Sequence, residues 1–166
     1  MILTGNYKNF MNDPRSISIS GDRGRSVGYK GDFYKKLAPK YSWWKDWEEL
    51  RDKVSFYDSI MFYMNKYYET VLSQLDPKQV YDELEGRILL CFENSDEFCH
   101  RHIVAEWLEL SLGVKVSEVV LIEDKLVTVS RPNYVKELLP LVIKNYKSNN
   151  KILSKNSCKI CKILIY

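Results

Sequence analysis

The sequence predicts an α/β domain: a small, mainly parallel sheet of about four strands flanked by helices. Three observations predict it. "RILLCFE", residues 87–93, is a nearly continuous apolar run between Gly86 and Asn94-Ser95, as expected of a strand buried on both faces. Strand, helix and strand then follow one another within about 35 residues, the length of a βαβ crossover. Upstream, apolar or aromatic residues recur at Phe56, Ile60, Tyr63, Met64, Tyr67, Val71, Leu72 and Leu75, the spacing of one helix face. Together these give a three-layer, Rossmann-like arrangement. Ligands of such sheets bind beyond the carboxyl ends of the strands.

The elements can be justified in order. "MILTGNY" reads as a short first strand ended by Gly5-Asn6. "RSISISGDRGRS" alternates Ser with Ile17 and Ile19, a period of two, and then enters a loop with Gly21, Gly24 and Gly28. That loop carries Arg23 and Arg25 but fits neither GxGxxG nor a P-loop, so no nucleotide fingerprint is present. A helix is expected from Trp43 with Ser42 as its cap, then the long helix of Ser55–Leu75. Asp76-Pro77 opens a short helix to Leu84, because Pro is tolerated in a first turn. After the strand at 87–93, a helix capped by Ser95 or Asp96 should bury Ile103, Val104, Trp107, Leu108 and Leu112. It should expose Glu106 and Glu109 and stop at Gly113. "VKVSEVVLI" is the next strand and "DKLVTVS" an edge strand. "RPNYVKELLPLVIKNY" is a last helix, interrupted or kinked by Pro140.

A chain of 166 residues suits one domain. It is placed at 1–146, with a Lys/Asn-rich tail at 147–166. The tail holds five Lys and no acid, so a net charge of +3 leaves the body at −2. A body near neutrality does not indicate a nucleic-acid partner. No leader reads from "MILTGNYKNF", and Asp58, Lys66 and Glu69 interrupt the most apolar helical region, so no membrane span is expected. Cysteines in such a chain point to reduced thiols and the cytoplasm. The CxxC at Cys158 and Cys161 lacks a second ligand pair and reads as two incidental thiols. Trp43, Trp44, Trp47 and the Tyr-rich helix read as packing rather than as a base-stacking platform.

The chemistry concentrates in "CFENSDEFCHRHIVAEWLELSLGVKV", residues 91–116. Cys91 and Glu93 are two apart on one strand and share a face at its end. Cys99 falls in a first helical turn, where unpaired N–H groups favour an anion and lower a thiol's pKa. Arg101 carries a planar donor fork suited to phosphate or carboxylate. His100 and His102 cannot both face the core easily, so one is expected to be exposed. Cys91, Cys99, His100 and His102 are all legitimate zinc ligands. Adjacent positions 99 and 100 point about 100° apart on a helix, however, so convergence of all four requires a distorted helix start. No metal site is expected. No residue pattern specifies a cofactor.

"RILLCFE", the short acidic gap, "FCHRHIVAEWLE" and "GVKVSEV" resemble the family known as domain of unknown function 488. Its members carry a strand ending in Cys and often Glu, then Cys-His-Arg at a helix start. The N-terminal half, with "SISISGDRGRS" and "YKGDFYKKLAP", fits the same layout, and the resemblance covers about residues 1–123. It implies an α/β domain with a site at Cys91, Glu93, Cys99, His100 and Arg101; it supplies no reaction. Arg23, Arg25 and Tyr29 are secondary candidates, because their loop could reach the same sheet edge. The function expected is an enzyme or enzyme-like domain acting on an anionic small molecule, a nucleotide or modified base. Cys99, His100 and Glu93 would be catalytic; Arg101, Cys91, Arg23, Arg25 and Tyr29 would bind ligand. The alternatives are a non-catalytic ligand-binding or partner-inhibiting protein, or a structural zinc domain.

Overall fold

The computed structural model describes the backbone of residues 1–163 and side chains through Lys151. The thiols of Cys158 and Cys161 lie outside the described residues. Among the described residues there are six strands: β1 (Leu3–Asn6), β2 (Ser16–Ser18), β3 (Asp32–Phe33), β4 (Ile88–Cys91), β5 (Ser117–Ile122) and β6 (Lys125–Val129). They form one sheet in the order β3-β2-β4-β1-β5-β6. Every pairing is parallel except the β5–β6 hairpin. Glu123 and Asp124 turn that hairpin, both with left-handed φ (49° and 59°), as a type I′ turn requires.

β4 is central, between β2 and β1, and all four of its residues are buried. The apolar run therefore means what its pattern predicts. The sheet has six strands rather than about four. β3 has two residues, too few to show a period, and its neighbour β2 supplies its pairing.

The two faces of the sheet are covered unequally. On one face Ile2, Ile17, Ile19 and Leu89 belong to the main core, with helices α2 (Tyr41–Leu50), α3 (Phe56–Thr70), α4 (Pro77–Glu83), α5 (His100–Leu112) and α6 (Asn133–Ile163). The other face carries Ile88, Leu90 and Val119, covered by the single helical turn α1 (Tyr7–Phe10) and by Tyr29. There the alternating serines of "SISIS" are buried, not solvated. Tyr7 Oη lies 2.5 Å from Ser18 Oγ and 2.7 Å from Ser20 Oγ, and Tyr29 Oη 3.0 Å from Ser16 Oγ. Gly5 is needed for this thin cover, since a Cβ would stand 2.6 Å from the Phe10 ring.

Local signals set most helix ends. Ser55 Oγ accepts from Asp58 N at the start of α3, and Asp76 Oδ1 from Gln79 N ahead of Pro77 in α4. Gly113, φ 66°, ends α5. Three expectations are corrected. α2 starts at Tyr41 behind an uncapped Lys40, not behind Ser42; Trp43, packed edge-on against Tyr63, fixes its place. α5 starts at His100, not after Ser95 or Asp96. Residues 94–97 close their own turn, in which Asn94 N donates to Glu97 Oε2 at 2.7 Å. Glu106 is buried rather than exposed, because Arg131 folds over that helix face to within 3.5 Å of Glu106 and 2.6 Å of Glu109. α6 runs on through Pro140 and past residue 146. Among the described residues no helix is long and apolar enough to cross a membrane.

Candidate functional site

β4 ends at Cys91, on the same face as Leu89, so its sulfur projects toward the helical layer. Glu93 is therefore in the loop beyond the strand, not on it. Residues 92–99 loop back over the strand end. Cys99 is the residue before α5, with extended backbone (φ −150°, ψ 144°), and not part of its first turn. That conformation frees its side chain from the angular spacing of a helix. The Cys91, Cys99 and His100 donor atoms all lie within 4.8 Å of one another, and all three residues are buried. His100 Nδ1 is 3.6 Å from Cys91 Sγ and 4.0 Å from Cys99 Sγ. Its Nε2 is 3.0 Å from the Ile19 carbonyl oxygen. A carbonyl only accepts, so Nε2 carries hydrogen and the ring is held with Nδ1 toward the sulfurs.

Burial pushes the Cys91 thiol well up, and the neighbouring Cys99 adds to it. Burial would raise Cys99 too, but the hydrogen bond from Cys91, the Arg101 charge and His100 outweigh it and hold Cys99 well below the ordinary thiol range. Burial lowers the pKa of His100, yet the contacts with Cys99 and the Glu93 charge leave it raised. Glu93 is pushed up to about 7, first by burial and then by the Cys99 charge. Its Oε2 stands 4.0 Å from Arg101 Nη1, and both atoms are buried without a hydrogen-bond partner.

The next turn of the same helix is built differently. Arg101 is 0% exposed. Its Nη2 donates to Glu118 Oε1 at 2.8 Å and to the Asn94 carbonyl at 3.0 Å, and its Nε to Glu118 Oε1 at 3.1 Å. Thr4 Oγ1 donates to Glu118 Oε2 at 2.6 Å. His102 Nε2 is 3.4 Å from Glu118 Oε1. Burial would raise Glu118, but His102 and Arg101 outweigh it and hold the carboxyl down at about 2. Both histidines are thus buried, where one was expected in solvent. They point to opposite sides of the helix: His100 toward β4 and Ile19 at the edge of a cavity, His102 toward Glu118 of β5. Arg101, expected to grip an anion from solution, is given an internal one. It lies outside the cavity lining and ties down the 92–99 loop through Asn94.

A cavity of about 720 Å³ opens at the carboxyl ends of β2, β3 and β4. Cys91, Glu93, Cys99 and His100 line it, and Phe33, Trp44, Trp47 and Phe98 give it aromatic surface. Arg23, Lys35 and Lys40 bring cations to it. Arg23 has a left-handed φ of 65°, and its guanidinium lies 4.8 Å above the Phe33 ring. Asp22 organises this loop, accepting from Gly24 N at 2.7 Å, Ser26 N at 3.1 Å, Ser26 Oγ at 2.7 Å and Ser20 Oγ at 3.0 Å. Of the secondary candidates only Arg23 reaches the cavity. Arg25 sits in an exposed 3₁₀ turn, and Tyr29 is buried on the thin side of the sheet. Trp43 is core, and Trp44 and Trp47 pack against it as their pattern predicts; one side of each also forms cavity wall. Glu118 was missed as the partner of Arg101. Its signal was a lone carboxylate inside the apolar strand "VSEVVLI".

Fold and site together define an α/β domain with a thiol–imidazole cluster in a cavity beyond its parallel strands. The family model described as "DUF488-N3a: Active DUF488-N3 subclade" matches residues 11–112, more than half of the 166. The chain belongs to the DUF488 family. The matched span runs from before β2 to the end of α5 and includes every residue of the cavity; Glu118 lies beyond it. Comparison with curated proteins finds no match. Comparison with solved structures finds none either.

Proposed function

We propose that this domain is an enzyme acting on an anionic small molecule with a planar portion, a nucleotide or a modified base. The observation that carries the reading is the convergence of Cys91, Cys99 and His100, with Glu93 beside them, in a cavity that also holds aromatic rings and cations. The cavity volume of about 720 Å³ falls in the range of small-molecule sites. Phe33 and Trp44 offer flat surfaces to a ring, and Arg23, Lys35 and Lys40 offer charge to a phosphate or carboxylate. Cys99 is the sulfur that engages the reacting atom. Glu93, with an unpartnered oxygen at the cavity, moves the proton. His100, held by Ile19, orients and charges the sulfur. The word "Active" in the matched family's description agrees with an enzymatic role. Two free thiols in one site fit a reducing compartment such as the cytoplasm.

Native mass spectrometry of the purified protein, followed by titration with nucleoside monophosphates and their uncharged nucleosides, tests the reading. The monophosphates should bind more tightly, and Arg23→Gln should remove most of that preference. Glu93→Gln should keep binding and lose turnover. Equal binding of charged and uncharged ligands overturns the anion assignment. Binding without turnover of any bound compound makes the domain a ligand-sequestering protein instead.

A further inference from the structure

We infer that Cys91, Cys99 and His100 are a three-ligand site for a zinc-class divalent ion whose remaining coordination position faces the cavity. The inference deepens the reading above, on whose reacting centre it rests, by naming how Cys99 acts: through a cation rather than as a bare nucleophile.

Geometry is the first support. A tetrahedral ion with bonds of ~2.3 Å to sulfur and ~2.0 Å to nitrogen separates those ligand atoms by roughly 3.5 to 3.8 Å. Nδ1 lies 3.6 Å from Cys91 Sγ and 4.0 Å from Cys99 Sγ, so small shifts would complete the coordination. The second support is convergence under burial. The three donor atoms lie within 4.8 Å of one another on three buried residues, and each turns a lone pair toward the others once its proton is lost. Third, Nε2–H donates to the Ile19 carbonyl at 3.0 Å, the outer contact that commonly fixes the ring of a metal-ligating histidine.

The donor set selects the metal. Two thiolates and an imidazole suit zinc and its softer neighbours and disfavour magnesium or calcium. Charge also balances. Binding M²⁺ displaces the proton remaining on each thiol to water, and the two thiolates then cancel the dication. Arg101 is already matched by Glu118 and adds no uncompensated charge. All three donor residues line the cavity, so the free position opens there, while His102 is turned away toward Glu118 and is no ligand. Glu93 stands outside the three-donor group and remains available for protons. Convergence depends on Cys99 preceding the helix in extended backbone; inside the helix, residues 99 and 100 would diverge.

The test uses the full chain, purified without chelator, equilibrated with Zn²⁺ and desalted. Elemental mass spectrometry should find about one zinc per chain. Co²⁺ in its place should give thiolate-to-cobalt charge transfer and the intense visible bands of a four-coordinate site. Cys99→Ser and His100→Gln should each lose the metal, with folding checked by circular dichroism. A Cys158→Ser/Cys161→Ser control should keep it, which separates this site from the CxxC at the end of the chain. If the ligand variants fail to fold, wild type still decides: zinc should shield Cys99 from iodoacetamide until a chelator is added. Folded wild type without zinc, retention of zinc by Cys99→Ser, or labelling unaffected by chelator overturns the inference. A zinc-free protein that still binds and turns over its anionic ligand leaves the proposed function standing with Cys99 as a direct nucleophile. A zinc-loaded protein with no such ligand supports the inference and removes that reading.

Discussion

His100 and His102 sit two residues apart on one helix, are both buried, and serve opposite ends. On the His102 side, Glu118 receives Arg101 and Thr4 and is enclosed on all sides. On the His100 side, two sulfurs, a ring nitrogen and a carboxylate face a cavity, and Glu93 Oε2 has no hydrogen-bond partner. The first cluster balances its charge internally, Arg101 against Glu118, and lies outside the cavity lining, although Arg101 Nη1 and both His102 ring nitrogens lack a hydrogen-bond partner; its role is to hold the fold. The second leaves capacity unused and is therefore open to a ligand. Burial alone does not separate the two; access to the cavity does.

Breaking the enclosed side should have the largest effect. Glu118→Ala strands a fully buried guanidinium, and removing one member of a buried pair costs about 3–5 kcal/mol. Urea denaturation should show a loss of that order. Glu93→Gln, on the open side, should be near neutral or stabilising. Equal losses from the two substitutions would erase the distinction between the two sides of the helix.

Arg101→Lys comes next. A lysine can meet Glu118 but cannot also span to the Asn94 carbonyl with a planar fork. Losing a charge-assisted hydrogen bond costs about 1.5–3 kcal/mol. The 92–99 loop should loosen as well, seen as faster amide exchange at residues 94–99 than at 103–108.

Acid sharpens the contrast, because the two carboxylates shift in opposite directions. Glu118 is held down at about 2 from an ordinary 4.5, so its contribution is complete above 4.5 and is lost as pH falls from there toward 2. Glu93 is raised to about 7, so folding holds its proton more tightly than the unfolded chain does, and stability declines as pH rises from 4.5 to 7. Glu93 is about two-fifths exposed and should give the smaller slope. Denaturation midpoints across pH 2–8 should lose their acid limb in Glu118→Gln and their neutral slope in Glu93→Gln. Slopes that survive both substitutions would assign them to other groups.

The smallest effect is one of order. On metal-stripped protein, iodoacetamide at neutral pH should modify Cys99 before Cys91, since Arg101 and His100 favour the Cys99 thiolate while burial opposes that of Cys91. Peptide mass spectrometry reads the order, and Cys91 labelling first would reverse the roles of the two sulfurs.

The sequence by itself determined the centrality of β4, through an apolar run that only a doubly buried strand tolerates. It also determined the helix stops and starts at Ser55, Asp76-Pro77 and Gly113, and the concentration of reactive side chains after Cys91. These are properties of a residue and its near neighbours: periodicity, capping and turn geometry. The tertiary structure decided the partners. That Cys99 leaves the helix and meets Cys91 and His100 depends on a loop tied down by Arg101. That Arg101 is neutralised from within depends on Glu118, carried to it by the crossover into β5. That Glu106 is buried depends on Arg131 arriving from beyond β6. Local pattern fixes which face a side chain points to, but the group waiting on that face comes from another strand. Only the folded crossings of the chain bring the two within a few ångströms.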